Sequence, residues 1–508
     1  MAKVNDSRGA RPTRVATTAG TVEGFARAGI TRWRSIPYAA PPWQSLRFRA
    51  PQPPTPWRGV RHCQEFSFCA PQDPRFTFTG VTARQPISED CLSLNVVAPT
   101  KAIQPALPVM FFVHGGGYFF GSTATPIYDG APLARRGCVY VSANYRLGPL
   151  GCLDLSSLAT PEHPIDSNLF LRDLVLALQW VKDNIASFGG DPDNVTIFGE
   201  SAGGHAVSAL LAVPQAQGLF HRAISESPPA GMVRSPELAE EIADRFVHEL
   251  GAKRRDAAKT LMQADATRLL EALSTVTTTT LRRVPGAFGI GATIDGQTLL
   301  RDPVESMALG EAHRVPLIIG HNAHEATLFA RFMSYLPTNQ ATIEKLLSTV
   351  DPASREHLMA AYPGYPHART CIGIGSDVVF GSNAWRIADA HARHAPTYLY
   401  RYDFAPRLLG WSGFGATHGT ELLAVFDVYR SRFGRLLTLA GDRPAALHVS
   451  DDIQRRWIAF GCKGIPGNGW PRYGEPQRPV MIFDRRSRIE YDPAPSRRRA
   501  WANLSLIG

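Results

Sequence analysis

The sequence predicts an α/β fold: a central, mostly parallel sheet flanked by helices, with helical insertions over one edge. Two observations predict it. Short apolar, β-branched or aromatic runs recur between helical patterns, the alternation of a parallel sheet covered on both faces. One of these runs, V-T-I-F at 195–198, leads directly into Gly199-Glu200-Ser201-Ala202-Gly203 and a small-residue helix start.

The strand-like runs are 109–113 (V-M-F-F-V), 139–142, 195–198, 315–320, 397–402 and 480–483. Between the second and third, Leu171, Leu174, Leu178, Val181, Ile185 and Phe188 recur at three- and four-residue intervals, and Gly189-Gly190 supplies a stop. That pattern is an amphipathic helix completing a βαβ unit. Helical patterns rich in Ala, Leu and Glu fill about 228–314 and 331–396. They read as insertions capping the C-terminal edge of the sheet, where open α/β sheets place their ligands. The whole chain, 1–508, reads as one domain carrying these insertions.

Composition bounds the function. A 44% hydrophobic share with 19% charged residues, nine Trp and 25 Phe suits a globular core. The net charge of +10 is spread as scattered Arg, densest at Arg485, Arg486 and Arg488 and at Arg497, Arg498 and Arg499. No aromatic residues interleave with these clusters, so a solvated basic tail is expected and no nucleic-acid partner. Residues 1–20 lack the apolar run of a secretory signal, and no segment reaches the 18 or so apolar residues of a membrane span. A cytoplasmic location is expected. Seven dispersed cysteines are too few for a disulfide scaffold, and none shows metal-ligand spacing.

The run 199–203 matches G-x-S-x-G, which roughly one chain in six of this length would contain by accident. Its strand-turn-helix setting makes it specific, because a nucleophile elbow needs that setting. The turn is tight, the serine backbone is strained, and side chains two positions to either side would collide with neighbouring strand or helix. Ser201 is therefore the candidate nucleophile. A nucleophilic acyl transfer also needs donors for the developing oxyanion. His114-Gly115-Gly116-Gly117 follows the apolar run ending at Val113, and successive glycines let backbone N–H groups converge. A phosphate cradle would need a Lys-Ser/Thr or a G-x-G-x-x-G, which G-G-G-Y-F-F-G lacks.

With these motifs in place, the chain resembles the type-B carboxylesterases of the α/β-hydrolase superfamily. The resemblance runs through I-P-Y-A-A-P-P at 36–42, S-E-D-C-L-S-L-N-V at 88–96, the H-G-G-G loop and N-Y-R-L-G-P-L-G at 144–151. It continues through A-L-Q-W-V-K-D-N-I-A-S-F-G-G-D-P-D-N-V-T-I-F-G-E-S-A-G-G at 177–204, G-L-F-H-R-A-I at 218–224 and W-P-R-Y at 470–473. It implies the α/β-hydrolase fold, a Ser-His-Glu triad, an ester substrate, water, and no cofactor or metal. The family's acid falls at Glu325 in G-H-N-A-H-E and its histidine at His418 in H-G-T-E, giving the chain order Ser201, Glu325, His418. From the residues alone, His418 is one of fifteen histidines, and Asp302 competes evenly with Glu325. The oxyanion donors implied are the N–H groups of Gly116, Gly117 and Ala202.

The resemblance further implies ion pairs Arg47–Glu89 and Arg146–Asp173 beneath the site. It aligns Cys69 and Cys91 with a disulfide of secreted members; in a cytoplasmic protein both would be thiols. The chain departs from the family at Glu226-Ser227-Pro228-Pro229, where Q-S-G is usual, which reshapes the wall near the triad. No position matches the choline-site tryptophan of cholinesterases. Two other readings stay open: a non-catalytic binding module of neuroligin type, and amide, carbamate or lactone hydrolysis on the same triad.

Overall fold

The computed structural model describes residues 11–502 and 504, apart from 80–82, 102, 103, 105, 334, 335 and 349. Residues 1–10, part of the stretch read above for a secretory signal, lie outside the described residues.

One large sheet organises the chain. Its strands lie in the order Arg11–Ala16, Thr21–Arg27, Ile30–Pro37, Ser93–Pro99, Val139–Ala143, Leu107–Val113, Gly190–Glu200, Arg222–Glu226, Leu317–Asn322, Thr397–Tyr402, Pro479–Phe483 and Arg488–Tyr491. From Val139–Ala143 to Pro479–Phe483 the pairing is parallel throughout. The flanks are antiparallel, apart from the short strand Val60–His62, which pairs parallel with Thr21–Arg27. Every residue of Leu107–Val113 is buried, as a strand covered by helices on both faces requires. This is the α/β-hydrolase fold that the motifs imply.

The expected helix is Leu169–Asn184, prolonged by a 3-10 turn Ile185–Phe188 and ended by Gly189 at φ 85°. Only glycine enters that left-handed region at little cost. Leu171, Leu174, Leu178 and Val181 form its buried stripe. The strand expected at 315–320 is shifted to Leu317–Asn322. Pro316 has no N–H to give a ladder, so pairing starts after it, and the polar His321 and Asn322 continue the strand into the site.

The stretches 228–314 and 331–396 are mainly helical, with Pro236–Glu249, Ala257–Gln263, Ala266–Arg283 and Pro303–Leu309 in the first. The second contains Gln340–Leu347, Pro352–Ala360, Ala368–Ser376 and Ser382–His391, the last two joined by a π-helical turn, Asp377–Gly381. Among the described residues no helix is long and apolar enough to cross a membrane.

The C-terminal arginines differ from the expected solvated tail. Arg497, Arg498 and Arg499 lie on the helix Pro495–Trp501, anchored by the buried Trp501. Arg497 reaches Asp377 at 3.0 Å and Arg498 reaches Asp492 at 2.8 Å, so part of the basic cluster is spent on internal pairing.

Candidate active site

Because the central strands are parallel, their C-terminal ends meet along one edge. The register makes the ends level: Val113 pairs with Gly199, Glu200 with Glu226, and Gly320 with Glu226. The side chains and turns just beyond these residues form the site.

Ser201 follows Gly190–Glu200 and precedes the helix Ala202–Leu210, with φ 59° and ψ −125°. A non-glycine residue held there stores strain of order 1–3 kcal/mol, which persists because the surroundings enforce it. The two flanking glycines show how. A Cβ on Gly199 would stand 2.6 Å from the Val113 carbonyl oxygen, and one on Gly203 only 2.1 Å from the same atom. The Ser201 N–H donates to the Glu226 carbonyl at 2.9 Å, pinning the turn to the next strand.

The H-G-G-G loop packs against this turn: a Cβ on Gly115 would lie 3.1 Å from Ser201 Cβ. Gly116 and Gly117 have φ of 113° and 62°, and neither N–H has an acceptor among the described residues. Ala202 opens its helix, so its N–H has no intrahelical acceptor either.

Glu325 is fully buried at the turn after Leu317–Asn322. Its Oε2 lies 2.6 Å from His418 Nδ1. The His418 loop is stitched to this turn on both sides. His324 N–H donates to the Ala416 carbonyl at 3.0 Å, and Leu328 N–H donates to Thr417 Oγ1 at 2.8 Å. The rings of Phe329 and Phe380 stand 5.1 and 4.5 Å from the His418 ring and wall one side with apolar surface. Phe380 sits on the π-helical turn, a distortion often found at functional sites.

His418 Nε2 lies 3.1 Å from Glu200 Oε1, a charge contact without the alignment of a hydrogen bond. The Ser201 hydroxyl bonds to nothing among the described residues, so the structure joins His418 to Glu325 and Glu200 and leaves the Ser201–His418 link open.

Three residues that sequence reasoning passed over complete the cluster. Glu200 occupies the variable position of the elbow, Glu421 ends the H-G-T-E segment, and Ser227 lies in the segment that departs from the family. The Ser227 hydroxyl meets Glu325 Oε1 at 2.6 Å and Glu421 Oε1 at 3.0 Å. One hydroxyl proton serves the shorter contact best, which leaves Glu421 to be stabilised by a proton of its own. Burial raises Glu421 to about 8, with the charges of Glu200 and Glu325 adding. Burial likewise raises Glu200 to about 7, against the opposing pull of His418. Burial alone would raise Glu325, but His418, the Ser227 hydroxyl and the Asn322 N–H hold it below the ordinary carboxylate value. Burial would lower His418, yet Glu200 and Glu325 outweigh it and raise the ring to about 9.

Asp302, the rival to Glu325, has a different role. Its carboxylate accepts from the N–H groups of Val304 and Glu305, capping Pro303–Leu309. The two implied ion pairs are present: Arg47 to Glu89 at 2.8 Å, and Arg146 to the fully buried Asp173 at 2.6 Å. Cys69 and Cys91 are buried free thiols.

A model of the Carboxylesterase family matches residues 11–501. The para-nitrobenzyl esterase of Bacillus subtilis (strain 168) is 35% identical over 96% of this chain and 97% of its own length. The fumonisin B1 esterase of Sphingopyxis macrogoltabida is 33% identical over 92% and 85%, and the phenmedipham hydrolase of Pseudarthrobacter oxydans 32% identical over 92% and 94%. A solved PNB esterase structure superposes with a TM-score of 0.86 at 35% identity, covering 96% of this chain and 99% of that one. With a nucleophile-type turn, a glycine loop and an acid-paired histidine on one sheet edge, the chain belongs to the carboxylesterase family and is a serine carboxylesterase acting on carboxylic esters with water.

Proposed function

We propose that Ser201 is the acylated nucleophile, His418 its general base and Glu325 the carboxylate that orients the imidazole and stabilises the imidazolium. The observation that carries this reading is the 2.6 Å Glu325–His418 contact on the same strand edge as the strained Ser201 turn. In the free protein His418 Nε2 faces Glu200; with an ester bound it takes the Ser201 proton as the hydroxyl attacks the carbonyl carbon, then delivers it to the leaving alkoxide. Water, deprotonated by the same nitrogen, releases the acid. The unpartnered N–H groups of Gly116, Gly117 and Ala202 receive the oxyanion, each worth roughly 3 to 4 kcal/mol when well placed. The Phe329 and Phe380 rings favour uncharged esters with an apolar alkyl or aryl part, in keeping with the para-nitrobenzyl esterase among the relatives.

Initial rates on a para-nitrophenyl ester series, wild type against Ser201→Ala, test this. The variant should lose at least about 10⁴-fold in kcat. Equal rates would remove Ser201 from the mechanism.

The same reading treats 1–508 as one catalytic domain, with 228–314 and 331–396 capping the site. It places the protein in the cytoplasm without a nucleic-acid partner, supported by seven free thiols. A stable catalytic subfragment from limited proteolysis would overturn the single domain. Recovery in a secreted fraction would overturn the location.

A further inference from the structure

One turn beyond Ser201, His205 is 4% exposed on the helix Ala202–Leu210. Its Nδ1 lies 2.7 Å from the Tyr118 hydroxyl, and its Nε2 is buried with no partner among the described residues. The Tyr118 proton has no other acceptor among the described residues, so Tyr118 donates to Nδ1 and the neutral ring carries its hydrogen on Nε2. Burial, helped by the Arg234 charge, lowers the His205 ring to about 3, which keeps it neutral. A buried N–H without an acceptor forfeits the hydrogen bond it makes to water in the unfolded chain, so an acceptor from outside the chain is expected.

The ring lines a cavity of about 280 Å3 behind the nucleophile helix. Arg234, also 4% exposed, is a second wall. Its guanidinium bonds only to the carbonyls of Gly231, Phe288 and Ile290 and makes no ion pair among the described residues. Burial accordingly pulls Arg234 down to about 10. Ser208, Ser235, Asn383 and Arg386 complete the uncharged and basic lining. The acidic liner, Asp302, is committed to its helix cap.

From the lone Nε2–H of His205 and the uncompensated Arg234 on one cavity, we infer that this cavity is a second binding site, separate from the catalytic edge, for a short-chain monocarboxylate. A cavity of about 280 Å3 is far roomier than one or two waters need and leaves space for a short alkyl chain beside the polar groups, so hexanoate is a suitable probe. Carboxylic acids are what ester hydrolysis releases, so the reaction itself supplies the ligand class. A carboxylate accepting from Nε2–H polarises the ring and strengthens the Tyr118 bond at Nδ1. Tyr118 adjoins Gly117, so occupancy stiffens the glycine loop; this last step rests on the oxyanion assignment above, whereas binding does not.

The test is titration of sodium hexanoate into protein whose Ser201 has been sulfonylated with phenylmethanesulfonyl fluoride, verified by one adduct mass. Absence of the adduct would fault the assignment of Ser201 and not the cavity, which is read in the same titration on Ser201→Ala. In [15N]histidine-labelled wild type, the His205 Nε2 resonance should shift saturably with one site. Calorimetric affinity should fall at least tenfold in His205→Phe and in Arg234→Met. No shift through a millimolar titration would overturn the site, the cavity then holding water only. Undiminished affinity in both folded variants would also overturn it by placing hexanoate elsewhere. The wild-type resonance decides even if a variant fails to fold.

Discussion

The Ser227 hydroxyl donates to Glu325 Oε1 at 2.6 Å, so the carboxylate facing His418 is itself held by a serine from the neighbouring strand end. Ser227 also separates Glu325 from Glu421, two buried carboxyls that would otherwise crowd each other. Ser227→Ala should lower kcat by about tenfold or more, the cost of a lost hydrogen bond to a charged group, with KM little changed. Steady-state kinetics on one para-nitrophenyl ester would show it. An unchanged kcat would reduce Ser227 to packing.

Glu200 should set the pH profile. His418 acts as a base only when unprotonated, so activity rises as pH passes upward through its pKa. Glu200 and Glu325 raise that pKa. Glu200→Gln removes one of the two charges, lowers the pKa, and should move the rising limb of kcat/KM to lower pH. A limb that stays in place would assign it to another group.

Glu226 makes an alkaline liability. It is fully buried, Trp457 Nε1 donates to its Oε1 at 2.7 Å, and its Oε2 has no partner among the described residues. Burial raises its pKa well above the ordinary value, with Glu421 adding. A folded-state pKa above the unfolded one gives stability that is complete below the unfolded value and lost as pH climbs through the folded one. Glu226→Gln should therefore melt higher than wild type at pH 9, with the gap closing toward pH 5. A gap independent of pH would contradict the buried neutral acid.

The elbow glycines should tolerate nothing larger. Gly203→Ala places a Cβ 2.1 Å from the Val113 carbonyl oxygen, a backbone atom that cannot swing away. We expect a lowered melting temperature, equivalent to a few kcal/mol, together with lost activity. Wild-type melting would mean that the strand and helix separate more easily than their packing indicates.

Local features were legible in the sequence and convergent ones were not. Ser201 and the Gly116 and Gly117 loop announce themselves because a strained turn and an open donor loop are built from adjacent residues. Glu325 and His418 needed the family resemblance, since 93 residues separate two groups that meet at 2.6 Å. Glu200 and Glu421 gave no usable signal, and Ser227 showed only as part of a departure from the family: Glu200 and Ser227 sit at strand ends brought level by register, and Glu421 comes from the loop before the helix Leu422–Val425. The antiparallel strands Arg11–Ala16 and Thr21–Arg27 were missed because their apolar alternation is weak, with Arg, Glu and Thr among the side chains. Arg497 and Arg498 read as a free tail because the acids that neutralise them, Asp377 and Asp492, are recognisable only after folding.

Arg47 shows how little covalent proximity matters to the finished molecule. Its guanidinium grips Glu89 through Nε and one terminal nitrogen, and through the other it takes the carbonyls of Leu261, Met262 and Ala264. One planar group thus clamps an early loop to the far end of a helix more than two hundred positions later. A lysine there could carry the charge but not the fork. The clamp closes only when both segments are in place, so displacing either one strands a buried guanidinium without its carboxylate or its carbonyl partners.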